Sequence, residues 1–188
     1  MHMNLRFGSL CILITIILLP AFRSLAAAEL TLAIVKPDGI SGNHTNSIKN
    51  IILQSGFTIH TQATLHLHQH TVTAFYAEHS TKTFFPSLVK YMTSGPVLIM
   101  VLEKVNAIAD WRTLIGPTDA RKAKITHPDS IRAMCGEDLE RNCVHGSDSH
   151  ESAAREISFF FPDSLSVFML LLSTGRSNEH EKRSWMND

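Results

Sequence analysis

The hydrophobic and polar positions of the chain follow patterns that predict strands and amphipathic helices. Leu30 to Val35 and the continuous apolar run Val97 to Leu102 predict strands, the second of them covered on both faces. Unbroken alternation from Phe57 to His68 predicts a half-buried strand between these two. Helical spacing of apolar residues recurs in the intervening segments and again from Ala153 to Phe161.

The order of these elements predicts one α+β domain over residues 29–163. A strand, a helix, a strand, further helices, a third strand, a helix, a loop, a fourth strand and a last helix give the split β-α-β layout of ferredoxin-like folds. In this layout a four-stranded antiparallel sheet has helices packed on it. A chain of 188 residues is long enough for one well-cored domain of this kind. Residues 164–188 are expected to be a poorly ordered C-terminal tail.

The first residues have the features of a secretory signal peptide. A positive charge at Arg6 precedes the apolar run Phe7 to Leu19, and the small residues Ala26 to Ala28 follow. We therefore expect residues 1–28 to be cleaved and the mature chain to begin near Glu29, which predicts a secretory or extracellular location. An uncleaved anchor and a cytoplasmic location are the alternatives.

Two cysteines remain after the predicted signal segment, and their state is open. Cys135 and Cys143 could pair in an oxidising compartment or stay as free thiols, since a chain of this size does not need a disulfide for stability. The segment Asn43-His44-Thr45 is also a glycosylation sequon, which a secretory route would expose to modification.

The segment from Arg141 to Asp148 is the first candidate for chemistry, because it places His145 before a Gly-Ser-Asp turn. Asp148 is predicted to cap the next helix, with Glu151 completing a capping box. Glu156 then falls on the buried face of that helix, where a carboxylate requires a partner. A bond to His145 would fix the imidazole tautomer and leave the other ring nitrogen as a nucleophile. The alternative is a purely structural histidine.

The net charge gives no reason to expect a polyanionic macromolecule as partner, because 17 Lys and Arg balance 17 Asp and Glu. We therefore expect that the function does not require nucleic acid. Local groups are therefore the candidates. Lys36 ends a predicted strand at a Pro-Asp-Gly turn, where it could hold phosphate or be solvated. Phe84 begins a predicted helix and could stack on a nucleobase or belong to the core. The long polar stretch Gly116 to Asp129 is expected to be a functional loop.

Several separate segments resemble the nucleoside diphosphate kinase family and occur in that family's order. Because an unrelated chain would need all of them by coincidence, the combination is specific. The matching segments are Val35–Gly39, Phe84–Met92, Ser94–Val97, Gly116–Thr118, His127–Arg132 and Arg141–Ser149.

The resemblance implies a ping-pong transfer of the γ-phosphate of a nucleoside triphosphate to His145, and from there to a nucleoside diphosphate. By resemblance the catalytic set is His145, Lys36, Tyr76 and Glu156. By resemblance the nucleotide-binding set is Lys36, Phe84, Arg112, Thr118, Arg132 and Asn142. ATP and other nucleoside di- and triphosphates are the implied partners.

The resemblance also implies Mg²⁺ bound through the nucleotide phosphates, with Asp148 touching it only through water and no protein metal site. A homo-oligomer is implied too, although the segment Gly42 to Thr45, the length of the loop Asp119 to Asp129 and the tail depart from the family pattern. These departures keep a second hypothesis open, in which the chain is a weakly active or inactive nucleotide-binding or interaction module.

Overall fold

The computed structural model describes residues 28–163. Of the predicted signal segment only Ala28 falls inside this range, and the tail 164–188 lies outside it, so both expectations stay predictions. Within the described part of the chain, no helix is long and apolar enough to cross a bilayer.

One antiparallel sheet forms the centre of the fold and confirms the predicted class. Its strands are β1 (Glu29–Val35), β2 (Thr58–His66), β3 (Pro96–Lys104) and β4 (Val144–Gly146). They lie in the order β2-β3-β1-β4, so the first and third strands are central and the short last strand is at an edge. This is the ferredoxin-like arrangement that the order of elements predicted.

Helices connect the strands and pack on the sheet. They are α1 (Pro37–Ser41), α2 (Thr45–Gln54), α3 (Gln69–Phe75), α4 (Phe85–Met92), α5 (Ala107–Ile115), α6 (Ala120–Thr126), α7 (Ile131–Cys135) and α8 (His150–Phe160), with a short 3₁₀ turn at Ala77–His79. Alternate residues of β1 enter two separate hydrophobic clusters, Leu32 on one face and Ala33 on the other. The sheet is therefore covered on both faces, which explains the nearly continuous apolar sequence of β1 and β3.

The polar stretch from Gly116 to Asp129 was predicted as a loop, and this prediction is wrong for its centre, which is helix α6. Asp119 caps the helix, because its Oδ1 accepts the backbone N–H of Arg121 at 3.0 Å. Only Ala120 and Ala123 of the helix are buried. A buried stripe made of two alanines is too small to appear as hydrophobic periodicity.

The predicted cap of α8 is wrong by one residue. The capping box is made by Ser149 and Ser152 rather than by Asp148 and Glu151. Ser149 Oγ accepts the N–H of Ser152 at 3.1 Å, and Ser152 Oγ accepts the N–H of Ser149 at 2.9 Å. A serine hydroxyl can replace the carboxylate of the common box, because it too accepts a backbone N–H.

Candidate active site

One cavity of about 720 Å³ opens beside β4 and the C-terminal end of β1, with α4 on one side and the segment before β4 on the other. The structure places all of the sequence-predicted site residues in its lining. These residues are Lys36, Tyr76, Phe84, Arg112, Thr118, Arg132, Asn142, His145 and Glu156. Residues from strands, helices and loops far apart in sequence thus meet around one space large enough for a small ligand.

His145 is held between β1 and α8. Its backbone pairs with Ile34 of β1, and its carbonyl accepts the indole N–H of Trp111 at 3.2 Å. Its Nε2 lies 2.9 Å from Oε2 of Glu156, whose side chain is buried. Because this bond occupies Nε2, the ring nitrogen left for chemistry is Nδ1.

Ser147 completes this arrangement and was missed as a site residue by the sequence analysis. Its Oγ donates to Oε2 of Glu156 at 2.8 Å and accepts the N–H of Leu32 at 3.1 Å, and the residue is fully buried. The carboxylate of Glu156 is therefore fixed by His145 and by a hydroxyl that the central strand itself holds. The sequence predicted a turn at this position, whereas Ser147 directly follows β4 and its N–H donates to the Leu32 carbonyl at 3.3 Å. A serine in a Gly-Ser-Asp segment carries no sequence signal for this role.

Lys36 lies at the end of β1 and is 7% exposed. Its Nζ donates to Asn142 Oδ1 at 2.7 Å and to the carbonyl of Glu140 at 3.3 Å. Burial, followed by repulsion from Arg132, lowers the pKa of Lys36 to about 8. A buried cation in the lining of a cavity favours an anionic ligand.

Arg132 is the second buried cation of the cavity. It donates through Nη1 to the carbonyl of Gly116 at 2.7 Å and through Nη2 to the carbonyl of Val144 at 3.1 Å. Burial, followed by repulsion from Arg112, lowers the pKa of Arg132 to about 10. Three cations that disfavour one another thus line the same space, which favours a ligand with several negative charges.

Tyr76 brings a neutral hydrogen-bond donor to the cavity. Its ring stands edge-on to the His145 imidazole at 6.1 Å between centroids, and its buried hydroxyl has no hydrogen-bond partner among residues 28–163. Burial, together with the negative charge of Glu156, raises the pKa of Tyr76 above its usual range. The phenol therefore stays protonated and can donate to a ligand.

Two exposed apolar side chains lie at the cavity mouth. Phe84 is 48% exposed and Leu139 is 59% exposed, although both belong to types that are usually buried. Phe85, the neighbour of Phe84, packs against the core instead. Of the two adjacent phenylalanines, Phe84 is thus the one available to stack on a flat ligand, and Leu139 is a contributor that the sequence analysis missed.

The two cysteines that the sequence left open form a disulfide. Cys135 ends α7, Cys143 precedes β4, and their Cα atoms are 5.9 Å apart. The bond spans the segment that carries Leu139, Glu140 and Asn142.

The carboxylates of the cavity do not form a metal site of their own. Among residues 28–163 no three His, Cys, Asp or Glu side chains come together in a way that could hold a metal ion. Asp148 lies exposed in the cavity lining, and a hydrogen bond from Ser152 lowers its pKa. An exposed carboxylate beside the cations of the cavity is compatible with a divalent ion carried by a polyphosphate ligand.

Comparison with known proteins gives matches over the described domain. The model of the family "Nucleoside diphosphate kinase" matches residues 29–165. A crystal structure of the Aquifex aeolicus nucleoside diphosphate kinase superposes with a TM-score of 0.71 and 42% identity, covering 72% of this chain and 96% of that one. The similarity thus includes nearly the whole of a solved structure.

The similar curated proteins carry related names. "Probable nucleoside diphosphate kinase 5" of Arabidopsis thaliana is 62% identical over 132 residues, which are 70% of this chain and 92% of that protein. "Nucleoside diphosphate kinase homolog 5" of Homo sapiens is 47% identical over 135 residues, 72% of this chain, and the match spans 63% of its length. The zebrafish protein of the same name is 47% identical over 73% of this chain and 62% of its own length. The chain belongs to the nucleoside diphosphate kinase family.

Proposed function

We propose that this protein is an active nucleoside diphosphate kinase that works through a phosphohistidine at His145. The observation that carries the proposal is the bond of 2.9 Å between His145 Nε2 and Glu156 Oε2, which leaves Nδ1 as the nucleophile in a cavity that also contains the buried cations Lys36 and Arg132. A simple anion-binding site would not need a buried carboxylate beside its histidine.

The reaction has two steps that use the same atoms. Nδ1 of His145 attacks the γ-phosphorus, the bond from that phosphorus to the bridging oxygen breaks, and the nucleoside diphosphate leaves. A terminal oxygen of a second nucleoside diphosphate then attacks the phosphorus and releases Nδ1. Positive charge develops on the imidazole in the first step, and Glu156 stabilises it through Nε2.

The cations and donors of the cavity would hold the phosphates. Lys36, Arg112 and Arg132 neutralise the charge of the transferred group, while Thr118 and Tyr76 add hydroxyl donors. Mg²⁺ on the nucleotide supplies further neutralisation when bound, and Asp148 is the side chain that would hold its water. Apart from the covalent step at His145, positioning and charge neutralisation account for most of the catalysis.

The mouth of the cavity would hold the nucleoside. Phe84 offers a ring face to the base, and Asn142 with Lys36 forms a polar pair suited to the sugar. Stacking on Phe84 reads no base edge, so the site is expected to accept all common nucleotides.

The N-terminal sequence and two structural features support a secretory location, with a cytoplasmic location as the alternative. The disulfide between Cys135 and Cys143 is typical of an oxidising compartment. Asn43, the acceptor residue of the sequon, is exposed in the turn between α1 and α2. N-terminal sequencing of the secreted protein should start near Glu29, whereas an intact Met1 on a cytosolic protein would contradict this location.

A homo-oligomer is also part of the proposal. Strand β2 is at the edge of the sheet and is mostly exposed, so it offers backbone hydrogen-bonding groups to a second chain. Leu65 on this strand is 39% exposed and Leu53 on α2 is 53% exposed. Sedimentation of the purified chain would separate a monomer from an oligomer.

Labelling with γ-³²P-ATP tests the enzymatic proposal. The protein should acquire a base-stable, acid-labile phosphoryl group and pass it to added nucleoside diphosphate. His145→Ala should abolish labelling, while His127→Ala should keep it, because His127 is exposed and outside the cavity lining. ADP binding without labelling would favour the alternative, a nucleotide-binding module without useful turnover.

A further inference from the structure

The backbone of Cys143 makes hydrogen bonds to two residues, Asp38 and Lys36, beside the active-site cavity. Its N–H donates to Asp38 Oδ2 at 2.9 Å, and its carbonyl accepts the N–H of Lys36 at 2.8 Å. Its φ of 71° is in the left-handed region, which residues other than glycine rarely adopt. Such a conformation persists only where the surroundings hold it. The position of Lys36 is therefore tied to the conformation of Cys143.

The disulfide connects this point to α7, which carries Arg132. Residues 136–142, here called the loop wall, lie between the two cysteines and contribute Asp138, Leu139, Glu140 and Asn142 to the cavity. The loop wall has little regular structure, and a tight turn holds its middle, where Asp138 Oδ1 accepts the N–H groups of Glu140 and Arg141 at 2.8 Å each. Its two ends are fixed relative to each other by the disulfide.

We propose that the Cys135–Cys143 disulfide positions the loop wall for nucleotide binding, so that the oxidised protein binds nucleotide tightly and the reduced protein binds it weakly. Asn142 is the residue through which the bond acts. Asn142 is the last residue of the loop wall and directly precedes Cys143. Its side chain accepts from Lys36 at 2.7 Å and donates to the carbonyls of Thr118 and Leu139 at 2.9 and 3.0 Å. The inference rests on the proposed function, since it concerns the same site.

The reacting side of the cavity does not depend on the bond in the same way. His145 is held by pairing with β1 and by Trp111, and Glu156 is held by Ser147. None of these contacts runs through Cys135 or the loop wall. Lys36 and Arg132 act on the transferred phosphate as well, but at saturating nucleotide the bound phosphates hold these two cations in place. Opening the disulfide should therefore raise KM and change the rate of phosphoryl transfer at saturating nucleotide much less.

A dithiol has a route to the bond. Cys143 is fully buried, but Cys135 is partly exposed and lines a second open cavity of about 530 Å³, on the side of Pro37 and His44. A thiolate of the dithiol would attack the sulfur of Cys135, and Cys143 would leave as a thiolate and take up a proton. The second thiol then displaces Cys135, so the dithiol is oxidised by two electrons and both cysteines become thiols.

The test compares oxidised and dithiothreitol-reduced full-length protein. ADP affinity by calorimetry should be about 5- to 10-fold weaker after reduction, because the loop wall is then no longer pre-organised and must be ordered on binding. KM for ATP should rise by a similar factor, while the single-turnover rate of His145 labelling at saturating ATP stays within about twofold. Circular dichroism confirms that the reduced protein is folded.

The variant Cys135→Ser is the matched control. It should bind ADP like the reduced protein and should not respond to dithiothreitol, which separates the disulfide from other effects of the reductant. Equal ADP affinity in the oxidised and reduced states would overturn the inference, as would alkylation of both Cys135 and Cys143 in protein isolated under oxidising conditions. Absence of labelling in both states, with the affinity difference preserved, would contradict the proposed catalysis and leave the positioning role standing.

Discussion

The two sides of the cavity are built in different ways. The nucleophile side, made of His145, Ser147 and Glu156, rests on a strand and a helix whose contacts reach β1. The opposite side consists of the loop wall. Its Asn142 side chain donates to loop carbonyls, and a disulfide joins the two residues that flank the wall. The difference shows that the atoms that react are fixed by the fold itself, whereas the groups that hold the nucleotide depend on local and covalent ties.

Glu156→Gln is the strongest test of this difference between the two sides of the cavity. Loss of the carboxylate charge should lower kcat by about 10² to 10⁴-fold and leave KM nearly unchanged, because Glu156 contacts the imidazole and not the phosphates. Glu151→Gln, on an exposed position of the same helix, should behave like the unmodified protein. Steady-state kinetics with ATP and a second nucleoside diphosphate measure both values. A rise in KM alone would contradict the division between the two sides.

Phe84→Ala tests the nucleotide-holding side with the opposite expectation. Loss of the stacking face should raise KM by about 5- to 150-fold, which corresponds to about 1–3 kcal/mol of stacking. The increase should be similar for adenine, guanine and pyrimidine nucleotides. Phe159→Ala is the control, since Phe159 is also a partly exposed phenylalanine but lies outside the cavity lining. An effect confined to one base would show that the ring reads more than a flat surface.

Ser147→Ala sharpens the description of the nucleophile side. Without the hydroxyl, Glu156 loses a donor and the N–H of Leu32 loses its acceptor, so stability should fall by about 1–3 kcal/mol. We expect kcat to fall about tenfold at unchanged KM, the loss of about one hydrogen bond to a charged group. Urea unfolding and kinetics on one preparation give both numbers. Ser158→Ala, at an exposed position of α8, should change neither.

The smallest expected effect is a pH dependence on the nucleotide-holding side. Because the pKa of Lys36 is lowered to about 8, its charge is lost as pH rises through that value, and kcat/KM should fall about threefold between pH 7.5 and 8.5. Bound phosphate restores the charge, so kcat should change less. Lys36→Arg, which stays charged, should flatten the profile.

The contribution of Lys36 to stability changes with pH in the opposite direction to kcat/KM. The folded pKa of Lys36 lies below its ordinary value of 10.5, so between about pH 8 and 10.5 the unfolded chain binds more protons than the folded one. The contribution of Lys36 to the free energy of unfolding therefore increases with pH in this window. A contribution that falls with pH there, judged against Lys36→Arg, would contradict the lowered pKa.

Sequence patterns predicted the fold and the members of the site because both depend on strong local signals. The apolar runs of β1 and β3 and the alternation of β2 determine the sheet, and the motifs around Lys36 and His145 identify the chemistry. Helix α6 escaped prediction because two buried alanines produce no visible period. Its position also determines where Asp138 can lie, since the N–H of Ala120 donates to the Asp138 carbonyl at 3.1 Å.

The missed members of the site share a physical reason. Leu139 matters because it is exposed in the same cavity lining as Phe84, and exposure of an apolar residue is a property of the folded surface. Ser147 matters because a central strand and a helix both reach it. The pairing of Cys135 with Cys143 depends on the distance between their Cα atoms. The sequence does not predict this distance, because the segment between them has little regular structure.

A covalent tie beside a binding cavity also records where the chain folded. In a bacterial cytosol thioredoxin and glutathione keep thiols reduced, so protein made there would fold with the two cysteines as thiols. Protein made in the periplasm or the endoplasmic reticulum would fold with the disulfide formed. Two preparations whose peptides give identical mass spectra after reduction could then differ in apparent nucleotide affinity. The compartment of synthesis becomes a variable of the molecule's behaviour, alongside temperature and salt.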